Sequence, residues 1–276
     1  MKRFRLAFSA LAVIALLPFQ QSAHGAAPVT PPNDLTSKGT LTIGTNMPYP
    51  PMESYTGSNL NIPTGADIDL GKAIAMKMGL KVAYVNIPNF DTIIPGLQSH
   101  HYDIIMSSMG ITPDRAKSLD FVPYMLAGES IVVVKGNPKH INSLADLSGK
   151  TAGVQASTTE QAALDAENTT LKSAGKPLIS IQTYKQDSDA LAQLSLGRID
   201  AYLTDFPVAA YYVTKRHTQL QLGGKQFGMQ TYGIAIRKGD KSIFTAVSKA
   251  FKLVQQDGEY MTILKHYGLQ QGAYKK

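Results

Sequence analysis

The stretch SSMGITPDR, Ser107 to Arg115, places a cation where a helix would not choose one. Thr112 has the side chain of an N-cap and Pro113 suits a first helical position, which puts Arg115 third in the helix. A helix N-terminus carries partial positive charge, so an arginine in its first turn is unfavourable unless an anion joins it. Two anions fit: an acid nearby in sequence, Asp114 or Asp120, or a ligand carboxylate gripped by two parallel N–H bonds. A second polar group, ASTTEQ (156–161), opens another helix. Ser157 and Glu160 have the spacing of a capping box. That leaves Thr158, Thr159 and the free N–H groups of this helix start to meet an anion. The third is Asp205 in IDAYLTDFP, either the N-cap of a helix beginning near Pro207 or an acceptor for an ammonium group. Arginine and aspartate across one cleft would make a receptor for a molecule of both charges, of which an α-amino acid is the simplest.

These groups need elements to hold them. Each follows a segment with the apolar pattern of a buried strand, DIIMS (103–107), TAGVQ (151–155) and IDAYLTD (199–205). In open α/β sheets, ligands bind beyond the carboxyl ends of the strands. Strand-like TLTIGT (40–45), helix-like DIDLGKAIAMKMG (67–79) and their successors alternate along the chain, the pattern of parallel βαβ units. The expected architecture is α/β with two lobes, residues 39–131 rejoined by 225–272, and residues 135–222. Extended hinge crossings near 130–135 and 222–226 join them. A cleft between two lobes is a common small-ligand site.

The N-terminal MKRFRLAFSALAVIALLPF has a basic start and an apolar run too short to span a bilayer, followed by small residues. This is the layout of a signal peptide over residues 1–26, removed near Gly25 or Ala26. A polar, Pro-rich leader over 27–39 is expected to be loose. Losing Lys2, Arg3 and Arg5 lowers the formal charge from +7 to +4. With no dense basic run, nucleic-acid binding is not expected. There is no cysteine, so an exported chain of this length must stand on its apolar core. GKT (149–151) lacks the leading glycine of a phosphate loop and precedes a strand. The six histidines lack zinc-protease spacing.

Taken in order, IGTNMPYPPME, GADIDLGKAIAMKMG, PGLQSHHYDIIMSSMGITPDRAKSLDFVPY, DLSGKTAGVQASTT, LGRIDAYLTD and YGIAIRKGD make residues 41–268 resemble the periplasmic amino-acid-binding proteins of ABC importers, the family 3 solute-binding group. The resemblance implies a two-lobed periplasmic-binding-protein fold of type II and no cofactor. It implies a monomer in the periplasm that closes on an α-amino acid and docks on an inner-membrane ABC permease. It assigns the ligand carboxylate to Arg115, with Thr159 from the second lobe and Ser157 and Thr158 supplying N–H contacts. It assigns the ammonium to Asp205, first-lobe polar contacts to Ser107, Ser108 and Gly110, and aromatic walls to Tyr49 and Phe90. Three positions depart from the pattern: Gly110 replaces a hydroxyl residue, Ser157 a common glycine, and Asn46 the aspartate frequent in binders of cationic or amide side chains. Asn46 therefore points to an uncharged polar side chain, although Glu53 is close enough in sequence to substitute. The alternative on the same fold is a cyclohexadienyl or arogenate dehydratase, which needs a general acid; Glu160 is the nearest candidate but is already assigned to the capping box.

Overall fold

The computed structural model describes residues 27–57 and 59–274; the expected signal peptide lies outside them. The chain runs β1 (Thr40–Thr45), β2 (Ser54–Thr56), β3 (Asn59–Thr64), α1 (Ala66–Lys77), β4 (Lys81–Asn86), α2 (Ile93–Gln98), β5 (Ile104–Ile105) and α3 (Pro113–Ser118). It continues through β6 (Leu119–Val134), β7 (Thr151–Gln155), α4 (Thr159–Ser173), β8 (Ser180–Tyr184), α5 (Asp187–Ser195), β9 (Ala201–Asp205) and α6 (Phe206–Lys215). It ends with β10 (Leu220–Leu222), β11 (Phe227–Arg237), α7 (Lys241–Gln256) and α8 (Glu259–His266).

One sheet has the order β4-β1-β5-β11-β6-β9-β7-β8, with β10 on β6. Its two outer thirds are parallel, β4 with β1 and β5, and β8 with β7 and β9. Between them, β6 and β11 run antiparallel to each other. β6 is 16 residues long. Its first half pairs with β11 and its second half with β9 and β10, so it belongs to both lobes.

Each lobe buries its own apolar side chains. In the first, Leu41, Ile43, Ile234 and Ile236 meet Leu70 and Ile74 of α1 and Val247 and Phe251 of α7. Ile93 and Leu97 of α2 cover the other face with Tyr102 and Ile105. In the second, strand alternation sends Ile131 and Val133 toward Leu164 of α4, and Val132 toward Leu191 and Val208. Gly79, at φ +65, closes α1 in the left-handed conformation that favours glycine.

The leader is not loose. Val29 is buried in the first-lobe core and its N–H donates to the Lys77 carbonyl at 3.1 Å. The backbone and hydroxyl of Thr36 donate to Asp103 Oδ1 at 2.7 and 2.5 Å. Composition alone marked the segment as irregular, but Val29 and Leu35 pack on the first-lobe core and Thr36 ties the segment to Asp103. Among the described residues, no helix is long and apolar enough to cross a membrane.

Candidate functional site

The carboxyl ends of β1 and β5 on one side, and of β7 and β9 on the other, meet at one narrow cleft. Its walls carry Asn46, Tyr49, Phe90, Ser107, Ser108, Gly110 and Arg115 from the first lobe, and Thr158, Thr159 and Asp205 from the second. Glu53, Gln155 and Glu160 line it as well. Ser157 does not line it with its side chain, yet its carbonyl touches Arg115.

Thr112 caps α3 by accepting from the Arg115 N–H at 3.2 Å, with Pro113 in the first turn. This fixes the arginine backbone at the helix start and frees its side chain to leave the axis. The nearby acids are taken elsewhere: Asp114 pairs with Lys117, and Asp120 with Lys238. The guanidinium instead donates to the Gly110 carbonyl at 2.9 Å and, across the cleft, to the Ser157 carbonyl at 3.0 Å. It also lies 5.7 Å from the centre of the Phe90 ring, within cation–π range. Two neutral carbonyls do not balance its charge. Burial lowers its pKa, while Glu160 and Asp205 oppose that shift.

The second helix start differs from the capping box expected from sequence. The N-cap of α4 is Thr158, whose hydroxyl accepts from the Gln161 N–H at 3.3 Å. Gln161 returns its side chain to the Ser157 N–H at 2.8 Å. Ser157 itself has φ +64, outside the extended conformation an N-cap adopts. The box is therefore built from Thr158 and Gln161, one residue later than Ser157 and Glu160. Two consequences follow: the Ser157 N–H faces Gln161 rather than the cleft, and Glu160 is released. Its carboxyl is 3% exposed and one oxygen has no partner among the described residues.

Asp205 precedes α6 but makes no side-chain cap. Its Oδ2 accepts from the Tyr49 hydroxyl at 2.8 Å and its Oδ1 from the Gln230 amide at 3.0 Å. Tyr49 also accepts from the Thr204 hydroxyl and the Asp205 N–H, so this first-lobe side chain is anchored on the second lobe. Burial raises the pKa of Asp205 well above the usual carboxylate range, and Glu160 adds to the rise. Glu129, opposite Asp205 in the β6–β9 ladder, is pushed to about 8 by burial and by Glu160. Burial raises Glu160 too.

The first-lobe floor is held by another acid pair. Ser107 donates to Glu53 Oε1 at 2.9 Å, and the Ser108 N–H donates to Asp67 Oδ2 at 2.9 Å. Burial, then repulsion from Asp67, raises Glu53, while burial brings Asp67 to about 6. Ser108 stands at φ +48, a strained conformation of a kind that gathers at functional sites. Asn46 spends both ends of its amide: Nδ2 donates to the Ile87 carbonyl at 2.5 Å, and Oδ1 accepts from Gln155 across the cleft at 2.8 Å. An aspartate could not make the first of these bonds. Among the described residues, no cluster of histidines and acids could hold a metal ion.

Sequence reasoning missed Gln155 and Gln230, placed Glu53 only as a substitute, and named Glu160 as a general-acid candidate while assigning it to a capping box that the structure does not form. The signal for Glu160 was the second capping pattern, Thr158 with Gln161, overlapping the first. Gln155 ends a predicted strand beside the cluster. Gln230 carried no signal, since its partners Thr159 and Asp205 lie in other elements.

Comparisons with known proteins bear on the family and the fold. The sequence profile of the bacterial extracellular solute-binding proteins, family 3, matches residues 41–270. The L-cystine-binding protein TcyJ of Escherichia coli K12 is 31% identical over 227 residues, 82% of this chain and 81% of that protein. The histidine-binding periplasmic protein of Salmonella typhimurium is 32% identical over 235 residues, 82% and 86% of the two chains. An ancestral arginine-binding protein solved with glutamine bound has a TM-score of 0.76 at 37% identity, covering 84% of this chain and 98% of its own. The ancestral amino acid-binding protein AncCDT-1, a precursor of cyclohexadienyl dehydratase, has a TM-score of 0.74 at 37% identity, covering 83% and 95%.

Proposed function

This chain belongs to the family 3 extracellular solute-binding proteins of bacteria, and from that premise and the cleft geometry we propose that it captures a free α-amino acid between its lobes. Its fold is the two-lobed, type II periplasmic-binding-protein fold. The observation that carries the proposal is the pairing of Arg115 and Asp205, opposite charges from opposite lobes, on one cleft.

In this reading Arg115 receives the ligand carboxylate, which supplies the negative charge that two carbonyls lack. Thr159 and the start of α4, with its Thr158 cap, add second-lobe contacts to the same group. Asp205 receives the ammonium, which compensates its burial. Ser107, Ser108 and Gly110 form the polar floor, and Tyr49 and Phe90 flank the side chain, whose slot ends at Asn46 and Gln155. Arg115 to Ser157, Tyr49 to Asp205 and Asn46 to Gln155 all cross the cleft, so only the closed form makes both halves of the site. The lobe division, at 39–131 with 225–272 and at 135–222, belongs to this reading. So do the periplasmic location, the monomeric state and delivery to an ABC permease.

The side chain is polar and carries N–H donors. Three carboxyls whose pKa burial raises, Glu53, Glu160 and Asp205, line the walls with one cation, Arg115; such groups ionise readily beside a cation and not beside an acid, which disfavours acidic side chains and extends the preference from neutral amides to cations. A thermal-shift screen of the common amino acids tests this. Arginine, histidine or glutamine should raise the melting temperature, and aspartate and glutamate should not. A protein that none of them stabilises would refute the ligand class.

One observation favours a second reading. Glu160, freed from capping, is a buried carboxyl with a raised pKa on the cleft wall, the kind of group that can serve as a general acid in a dehydratase. Incubation with arogenate decides: release of phenylalanine would make the protein an enzyme, and its absence leaves the binding reading.

A further inference from the structure

Gln230 lies where β11 shifts register against β6, between Phe227 and Gln230. Its side chain crosses to the second lobe, just behind the cleft wall at Gly110. The amide nitrogen donates to Thr159 Oγ1 and Asp205 Oδ1, each at 3.0 Å. These two bonds turn the amide nitrogen toward Thr159 and Asp205 and leave Oε1 on the opposite side. Oε1 is buried without a hydrogen-bond partner among the described residues. It packs against Gly110, where an added Cβ would stand 1.9 Å from it. Gly110 lines the cleft and gives its carbonyl to Arg115.

A buried acceptor left bare is costly, and a carboxylate stands on the other end of the same amide. A single cationic group with several N–H bonds would satisfy both. We propose that Gln230 Oε1 accepts a hydrogen bond from the α-ammonium of the bound amino acid, occupying the place a side chain on residue 110 would otherwise fill. Glycine 110 and glutamine 230 are then one device: the absence of a Cβ on the first lets the second deliver its oxygen beside Asp205. A neutral amide suits this place better than another acid, because Glu129 and Glu160 already raise the pKa of Asp205. The inference rests on the amino-acid reading of the cleft.

Calorimetry on the full chain tests it with the tightest amino acid of the thermal-shift screen and that amino acid's des-amino analogue. Gln230→Ala should weaken the amino acid about tenfold or more, because a hydrogen bond to a charged group is lost, and weaken the analogue by a clearly smaller factor, since the analogue feels only the loosened Thr159. Retained binding of the analogue also reports an intact cleft. Gly110→Ser alone should weaken the amino acid by collision with Gln230. The double variant, with a hydroxyl in the vacated space, should bind more tightly than either single one. Equal or tighter binding by Gln230→Ala, or a double variant showing both losses combined, overturns the assignment while the amino-acid reading stands. A wild-type protein that binds no amino acid overturns both.

Discussion

Two helices begin at the cleft, and each is capped by a threonine. In α3, Thr112 holds the third residue, Arg115, by its N–H; in α4, Thr158 holds the third residue, Gln161, in the same way. From there they diverge. The third residue of α3 turns into the cleft while its second, Asp114, stays in solvent with Lys117. The third residue of α4 turns back on its own loop, and its second, Glu160, enters the cleft. One capping chemistry thus presents a cation from one lobe and an acid from the other. Burial, not the motif, decides which side chain lines the cleft.

The strongest way to break this comparison is Arg115→Ala. Removing a hydrogen-bonded charge partner at a binding site costs about 3 kcal/mol or more, roughly a hundredfold in affinity. Calorimetry should show binding lost while the circular-dichroism melt stays close to wild type, since the Arg115 guanidinium bonds only cleft-wall carbonyls and stacks at the core's edge on Phe90. Unchanged affinity would remove Arg115 from the site.

The acids at the second positions sharpen the contrast through pH. Glu160 has a folded pKa raised by burial, whereas Lys117 lowers that of Asp114. A raised carboxyl keeps its proton longer folded than unfolded. Its stabilisation is therefore complete below the unfolded value, about 4, and is lost as pH rises through the folded one. Asp67 at about 6 and Glu129 at about 8 share this sign. The ligand-free melting temperature should fall from pH 5 to pH 8, and Glu160→Gln or Glu129→Gln should flatten the fall. Asp114→Asn should leave the slope alone. A melting temperature that rises over this range would contradict the burial of these acids.

The caps themselves carry the smaller effects. Thr112→Ala and Thr158→Ala should each cost about 1 kcal/mol in denaturant unfolding. Ser157→Gly should stabilise by up to about 1 kcal/mol, because glycine adopts φ +64 without the Cβ penalty. A stability loss on that change would show that the serine hydroxyl matters more than its backbone.

Periodicity located the elements that surround the site. β1 spans the six residues read as a strand, α1 starts one residue before the expected helix, and Asp205 ends β9 as placed. The long β6 was legible only from Glu129 onward. Pro123, which lacks an N–H, and polar side chains interrupt its apolar pattern. The structure accommodates them with a register shift beside Pro123 and pairing on both edges. Within the site, residues at strand ends and helix starts were legible because those positions follow from topology. The release of Glu160 from the cap was not, because two capping patterns overlap by one residue and only the backbone angle of Ser157 separates them. Gln230 could not be, because its position depends on a bulge formed between distant segments.

The unbroken course of β6 through both lobes has a bearing on selectivity. In the closure proposed above, the motion passes through the ribbon that β6 makes with its neighbours, and the fraction of molecules closed without ligand divides into every apparent dissociation constant by the same factor. Substitutions along that ribbon rescale all ligands together and preserve their ranking; reordering the ranking requires changes in the walls.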